Sequence, residues 1–171
     1  MNSLLITDTY LPRIGGRENY YHYLFSRFDG GRVVIVTPDR TGEYEQFDRE
    51  YELEVIRTDE WSRTWFLRGR RARARWLCTL ASICWRYRID VVHCGVVLPD
   101  GLSGWLLSKT LGKPYIAYAF GKEILENQRH PRVAERMRVT LSAASRVVCI
   151  SRYTAGELEA FGVPPEKLVE I

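Results

Sequence analysis

Seven short apolar runs, rich in β-branched residues, are spaced along this chain, and they constrain its fold more than any other feature. Ser3–Thr7, Val33–Pro38, Leu53–Arg57, Val91–Cys94, Tyr115–Tyr118, Arg146–Ile150 and Leu168–Ile171 read as strands. Runs such as Val33-Val34-Ile35-Val36 and Val147-Val148-Cys149-Ile150 are continuous rather than alternating, the pattern of strands covered on both faces. Helical patterning falls between them, near Gly16–Phe28, Trp65–Tyr87, Asp100–Leu111, Pro131–Ala143 and Ser151–Phe161. Pro131 fits a helix first turn, Ser151 an N-cap, and Gly162 followed by Pro164 a stop. Strands alternating with helices predict an α/β fold, a Rossmann-like three-layer α/β/α sandwich around a mostly parallel sheet. Such sheets bind ligands at the carboxyl ends of their strands. The loops of interest are therefore Asp8–Gly16, Gly95–Asp100, Ala119–Glu123 and the start of the Ser151 helix.

A length of 171 residues suits a single domain with an ordinary core, and 46% hydrophobic with 27% charged residues argues against disorder. Charge-free stretches stop after about a dozen residues, short of a membrane span. Asp8 arrives too early in the N-terminal run for a secretory signal, so a cytoplasmic protein is expected. Cys78, Cys84, Cys94 and Cys149 form no C-x-x-C pair and are expected to be structural thiols, with no metal site. The closing run Leu168-Val169-Glu170-Ile171 ends while still apolar, which suggests a continuation beyond it.

The net charge of +4 is unevenly spread. Nine arginines lie between Arg57 and Arg88 against Asp59 and Glu60, while the rest of the chain is net acidic. At about 100° per residue, Arg68, Arg71, Arg75 and Arg86 share one helix face and Trp76, Leu77, Leu80, Ile83, Cys84 and Tyr87 the other. The basic face, with Trp61, Trp65 and Phe66 just before it, is open to three readings. It is a solvated helix surface in an arginine-rich protein, a contact for an anionic membrane or lipid-linked acceptor, or a nucleic-acid patch, the last disfavoured by the modest overall charge.

After the first strand, Gly15-Gly16 opens a helix. Such a turn brings backbone N–H groups close to a phosphate at a helix N-terminus, or is simply a tight turn. Neither a dinucleotide fingerprint nor a P-loop is present. His93 ends a strand, as a buried histidine or a cleft residue, while His22 on the first helix and His130 in a polar loop read as incidental.

These residues resemble a known family. Pro12-x-x-Gly15-Gly16-x-Glu18 is similar to the N-terminal signature of glycosyltransferase family 4, retaining enzymes of the GT-B fold. The resemblance continues at Asp90-Val91-Val92-His93, Pro99-Asp100-Gly101, Gly112-Lys113-Pro114 and Phe120-Gly121-Lys122-Glu123-Ile124. It is strongest from Ser145 through Ser151-Arg152-Tyr153-Thr154 to Phe161-Gly162-Val163-Pro164 and the last strand.

The resemblance implies that residues 1–171 form the N-terminal, acceptor-side domain, with the donor-binding domain absent from this chain. It implies a nucleotide-sugar substrate, no cofactor, and a glycan or lipid-linked acceptor. Gly15, Gly16, Glu18, Gly121 and Glu123 would then lie near donor phosphate or acceptor, and His93, Asp100, Ser151 and Arg152 along the cleft. Glu18 orients the glycine loop, reaches the acceptor, or is an ordinary first-turn acid, and Ser151 caps its helix or meets ligand. Phe120 stands where many family members carry a histidine near the reacting sugar, and a phenyl ring can neither donate a hydrogen bond nor move a proton. Two functions follow. One is the acceptor half of a transferase, inactive alone and peripheral at the inner face of the membrane. The other is a non-catalytic binding subunit that pairs with a separate donor-domain chain. A GT-B epimerase is a further alternative, since fold does not fix function.

Overall fold

All seven expected strands form, within a residue or two of their sequence limits: β1 (Ser3–Ile6), β2 (Val33–Thr37), β3 (Glu54–Arg57), β4 (Val91–Cys94), β5 (Tyr115–Ala119), β6 (Arg146–Cys149) and β7 (Leu168–Glu170). The computed structural model describes residues 1–38, 44–50, 53–60 and 69–171, with the side chains of residues 122 and 123 excepted. Among the described residues seven helices accompany the strands: α1 (Gly16–Ser26), α2 (Glu45–Glu50), α3 (Arg70–Arg86), α4 (Asp100–Leu111), α5 (Lys122–Gln128), α6 (Pro131–Ala143) and α7 (Arg152–Ala160). A 3₁₀ turn at Pro165–Lys167 leads into β7. The sequence pattern did not announce α2 and α5, which are short and polar. The expected start of α3 at Trp65, with Trp61, Phe66 and Arg68, lies outside the described residues.

The described residues form two compact units, Met1–Val91 and Val92–Ile171. In the first, β2 pairs in parallel with β1 on one side and with β3 on the other, with Leu5 opposite Ile35 and Val36 opposite Ile56. Leu4, Leu5, Ile6, Val34, Ile35 and Val36 are fully buried, so β1 and β2 are covered on both faces, as their unbroken apolar runs require. Asn2 fixes where β1 begins. Its backbone N–H donates to Asp90 Oδ2 (2.7 Å), and its side-chain amide donates to the carbonyl of Tyr87 (2.9 Å) after α3.

In the second unit β4, β5, β6 and β7 lie side by side in sequence order, all parallel. Two glycines one turn apart set how closely α4 packs. A Cβ at Gly101 would stand 2.5 Å from Thr140 Cγ2 on α6, and one at Gly104 would run into Cys94 Sγ and lie 2.9 Å from the Tyr115 ring. The Tyr115 hydroxyl donates to the Thr140 carbonyl, joining β5 to α6. Helix ends follow the expected chemistry: Pro131 is the first residue of α6, Gly112 closes α4 with φ +65°, and Gly162 follows α7 with φ +100°. The protein is thus α/β and Rossmann-like, with every described strand pair parallel. Cys84, Cys94 and Cys149 are buried as structural thiols should be, but Cys78 is exposed on α3.

Candidate functional site

In the first unit the functional candidates gather on the loop between β1 and α1, and five side chains brace it. The Thr7 hydroxyl donates to the Thr9 carbonyl (2.9 Å), turning the chain as it leaves β1. Arg17 on α1 pairs with the buried Asp8 (3.0 Å). The Thr9 hydroxyl donates to Glu18 Oε1 (2.6 Å), with both residues buried. Arg57, at the carboxyl end of β3, donates to the Leu11 carbonyl (2.7 Å) while gripping Asp48 of α2 through two nitrogens, each at 2.7 Å. Its guanidinium also stacks 3.8 Å from the ring centre of Tyr44. The Tyr10 hydroxyl lies 3.1 Å from His22 Nδ1. Burial and the charge of Arg27 hold the His22 pKa below its ordinary value.

This frame explains the two glycines differently. Gly15 has an extended backbone, φ −170°, which any residue adopts, so it is not there for left-handed freedom. It is there for space, because a Cβ at Gly15 would collide with Glu18 Oε2 and lie 2.9 Å from Glu18 Cδ. A Cβ at Gly16 would meet nothing within 4 Å, so that position faces open space at the first residue of α1. No side chain caps this helix start. Of the three readings of Glu18, the structure displays the brace: the carboxylate is inside the loop, held by Thr9 and covered by Gly15. Arg13 and Ile14 at the loop tip are exposed, Ile14 at 85%. Behind the loop is a cavity of about 20 Å³, with room for about one water, lined by Asp8, Thr9, Thr37, Tyr44 and Arg57 among others.

In the second unit the candidates lie at the carboxyl ends of β4, β5 and β6. His93 is 9% exposed, and its Nδ1 is 3.0 Å from the Tyr118 hydroxyl on β5. Burial pushes its pKa down to about 4, so the ring is neutral through the physiological range. Asp100 is fully buried, and its Oδ2 accepts from the Val96 amide (3.1 Å), closing the turn between β4 and α4. Phe120 is half-buried where β5 ends. Gly121 follows with φ +93°, a conformation that glycine adopts without steric cost, and it is the N-cap of α5. A Cβ there would also press on Thr154 Oγ1 of α7 at 3.1 Å. Ser151 caps α7, its hydroxyl accepting from the Thr154 amide (3.2 Å). Arg152 is exposed and lies 3.7 Å from Glu170 of β7.

The structure therefore gathers Gly15, Gly16 and Glu18 where the β1–α1 loop enters its helix, and sets Gly121 against the helix start that Ser151 caps. Glu123 lies on α5, its side chain outside the described residues, as Arg68 lies outside them altogether. Sequence reasoning missed Arg57, Tyr118 and Thr154, since nothing local marks a strand-end arginine or a helix threonine as the support of a distant loop. Arg71 and Arg75 are exposed on α3, as the helical pattern predicted. No group of three or more metal-ligating residues occurs among the described residues.

Comparison with solved structures finds the same fold in other proteins. Anabaena Alr3699/HepE, solved in complex with UDP and glucose, superposes with a TM-score of 0.76 at 12% identity, over 100% of this chain and 44% of that one. Sucrose-phosphate synthase from Thermosynechococcus elongatus gives 0.72 at 13% identity, over 100% of this chain and 88% of the other. UDP-GlcNAc 2-epimerase from Methanocaldococcus jannaschii gives 0.64 at 13%, over 100% and 45%. At these identities the likeness is one of fold, and the chain spans less than half the length of HepE and of the epimerase. The sequence finds no match among curated proteins. The model of Glycosyltransferase Family 4 does match, over residues 14–171. That match runs from the tip of the glycine loop to β7, and the chain belongs to Glycosyltransferase Family 4.

Proposed function

We propose that this chain is the acceptor-side domain of a retaining glycosyltransferase, which moves a sugar from a nucleotide-sugar donor to a glycan or lipid-linked acceptor of the cell envelope. The observation that carries the reading is the β1–α1 loop. Its open Gly16 and uncapped helix start offer backbone N–H groups to an anionic or hydroxyl-rich ligand, while Glu18, Arg17 and Arg57 hold the loop from behind. Loop rigidity matters because binding groups fixed in advance lose little entropy when substrate arrives. Such a domain is inactive alone, needs a donor domain, and uses no cofactor beyond the nucleotide-sugar itself. No described helix is long and apolar enough to cross a membrane. A lipid-linked acceptor would be met from the cytoplasmic side by peripheral contact.

Phe120 favours a second reading, a binding subunit that pairs with a separate donor-domain chain, because a phenyl ring cannot transfer a proton at the reacting sugar. One experiment separates the two. Radiolabelled transfer from UDP- and GDP-sugars to source-cell membranes is measured with the 171-residue chain and with the native protein immunoprecipitated from the same cells. Transfer by a single native polypeptide of about twice this size, but not by the isolated chain, supports the first reading. Transfer that requires a second, co-precipitating polypeptide supports the subunit, and transfer by the isolated chain overturns both.

A further inference from the structure

The outer face of α3 is a cationic stripe that ends in an exposed indole, and the surrounding surface is dented rather than flat. Across its 17 residues α3 carries Arg70, Arg71, Arg73, Arg75 and Arg86 and no acid. Opposite the buried Trp76, Leu80, Ile83 and Cys84, the residues Arg71, Arg75, Cys78, Ser82, Trp85 and Arg86 fall within roughly 100° of helix surface, and all are exposed. The stripe runs about 22 Å along the axis. Trp85 is 86% exposed, although a side chain of that size usually buries most of its surface. Two shallow grooves of about 420 and 470 Å³ flank it and share Ser82 and Arg86 as a common wall. The acids beside the stripe are engaged at its margin: Glu60 lies 3.9 Å from Arg75 and accepts from Thr79, and Glu54 accepts from the Tyr87 hydroxyl.

We propose that this face of α3 docks on an anionic lipid bilayer, with Arg71, Arg75 and Arg86 meeting lipid phosphates and Trp85 entering the headgroup layer. Charge complementarity identifies the occupant. A partner helix would want a continuous apolar stripe, whereas this one alternates guanidinium groups with small residues and places its only large apolar group at one end. That is the composition of an interfacial anchor. Indoles settle at the level of lipid headgroups, and arginines close to an anionic surface each contribute several-fold in affinity. The inference deepens the proposal of a peripheral, lipid-linked acceptor by naming the surface that makes the contact. It is read without any sugar transfer, so either can fail while the other stands.

The test is flotation of the 171-residue chain with vesicles of phosphatidylcholine alone or mixed equally with phosphatidylglycerol, in low and moderate salt. The expected result is binding to the mixed vesicles only, weakened by salt. Arg71→Glu/Arg75→Glu/Arg86→Glu should lower it at least tenfold, while the charge-matched Arg129→Glu/Arg132→Glu/Arg146→Glu, at exposed residues of the second unit, changes it less than threefold. Equal loss in both triple variants would reduce the effect to net charge and overturn the proposal. So would binding to single-stranded RNA at salt concentrations where vesicles are ignored. Should the α3 variant fail to fold by circular dichroism, brominated phosphatidylglycerol gives an independent readout with Trp85→Phe. Quenching of tryptophan emission in the parent that does not shrink in Trp85→Phe refutes the anchor, and quenching that shrinks supports it.

Discussion

Adding one methyl group at Gly15 tests the account of the glycine loop directly. The backbone there is extended, so Gly15→Ala introduces no dihedral strain, and its cost comes only from Glu18, whose carboxylate occupies the space a Cβ would take. Two outcomes are open to the variant: it expels Glu18, or it compresses it. Expulsion gives up the buried, charge-assisted bond from Thr9, worth about 1.5–3 kcal/mol, and exposes the carboxylate, which returns part of that cost. Compression costs a comparable 1–3 kcal/mol of overpacking. Glu18→Ala alone loses the same Thr9 bond and clears the space. The double variant should therefore be no less stable than Glu18→Ala, with a coupling of about 1.5–2.5 kcal/mol between positions 15 and 18. Urea denaturation of the four chains measures it. Additive costs, with coupling below about 0.5 kcal/mol, would show that the glycine serves something other than room for Glu18, and the brace would have to be abandoned.

Two further outcomes are expected. Gly104→Ala puts a methyl group into Cys94 Sγ and the Tyr115 ring, both parts of the second unit's core, and should cost about 2–4 kcal/mol, or some 4–16 °C in Tm for a chain of this size. Gly156→Ala, where a Cβ meets nothing within 4 Å, is the matched control and should stabilise slightly. His93 titrates near 4 when folded and near 6.5 when unfolded, so the unfolded chain binds the extra proton between those values. Its contribution is complete above pH 6.5 and is lost as pH falls towards 4, about 3 kcal/mol in all. Denaturation of the parent against His93→Gln should show the two curves converging through that window, and parallel curves would contradict the assignment.

How much of this was legible in the sequence depends on how local each cause is. Strands buried on both faces are almost wholly apolar, so β1 and β2 declare themselves in a few residues; β6, with Arg146 exposed and Val148 only half-buried, is covered less fully than its unbroken run suggested. The α3 pattern likewise separated Trp76, Leu80 and Ile83 from the arginines correctly. By contrast α2, Glu-Gln-Phe-Asp-Arg-Glu, has neither an apolar stripe nor the length to be stable alone, and its helicity depends on Asp48 meeting Arg57 across the fold. The Gly15-Gly16 pair was visible, but its division of labour was not, because one glycine makes room for a side chain three residues on and the other faces open space. Asp100 was expected along the cleft from its place at a strand-to-helix turn; what the sequence could not give is its burial and the bond to the Val96 amide that closes that turn. Trp85 escaped notice because the period that placed Arg86 and Tyr87 was followed for its arginines and its core stripe, and an indole on the basic face belongs to neither.

The grip of Arg57 on two segments at once has a consequence for how this surface can be observed. One guanidinium holds both the carbonyl of Leu11, beside the open glycine turn, and the carboxylate of Asp48, in the exposed six-residue helix. A helix so short borrows its order from that grip, so its amides exchange with solvent at a rate set by how often Arg57 lets go. Anything that settles on the loop and steadies Leu11 will slow deuterium uptake at residues 45–50, which need not touch the ligand. The small helix is in effect a gauge mounted behind the loop, and it can register occupancy before the identity of the occupant is known.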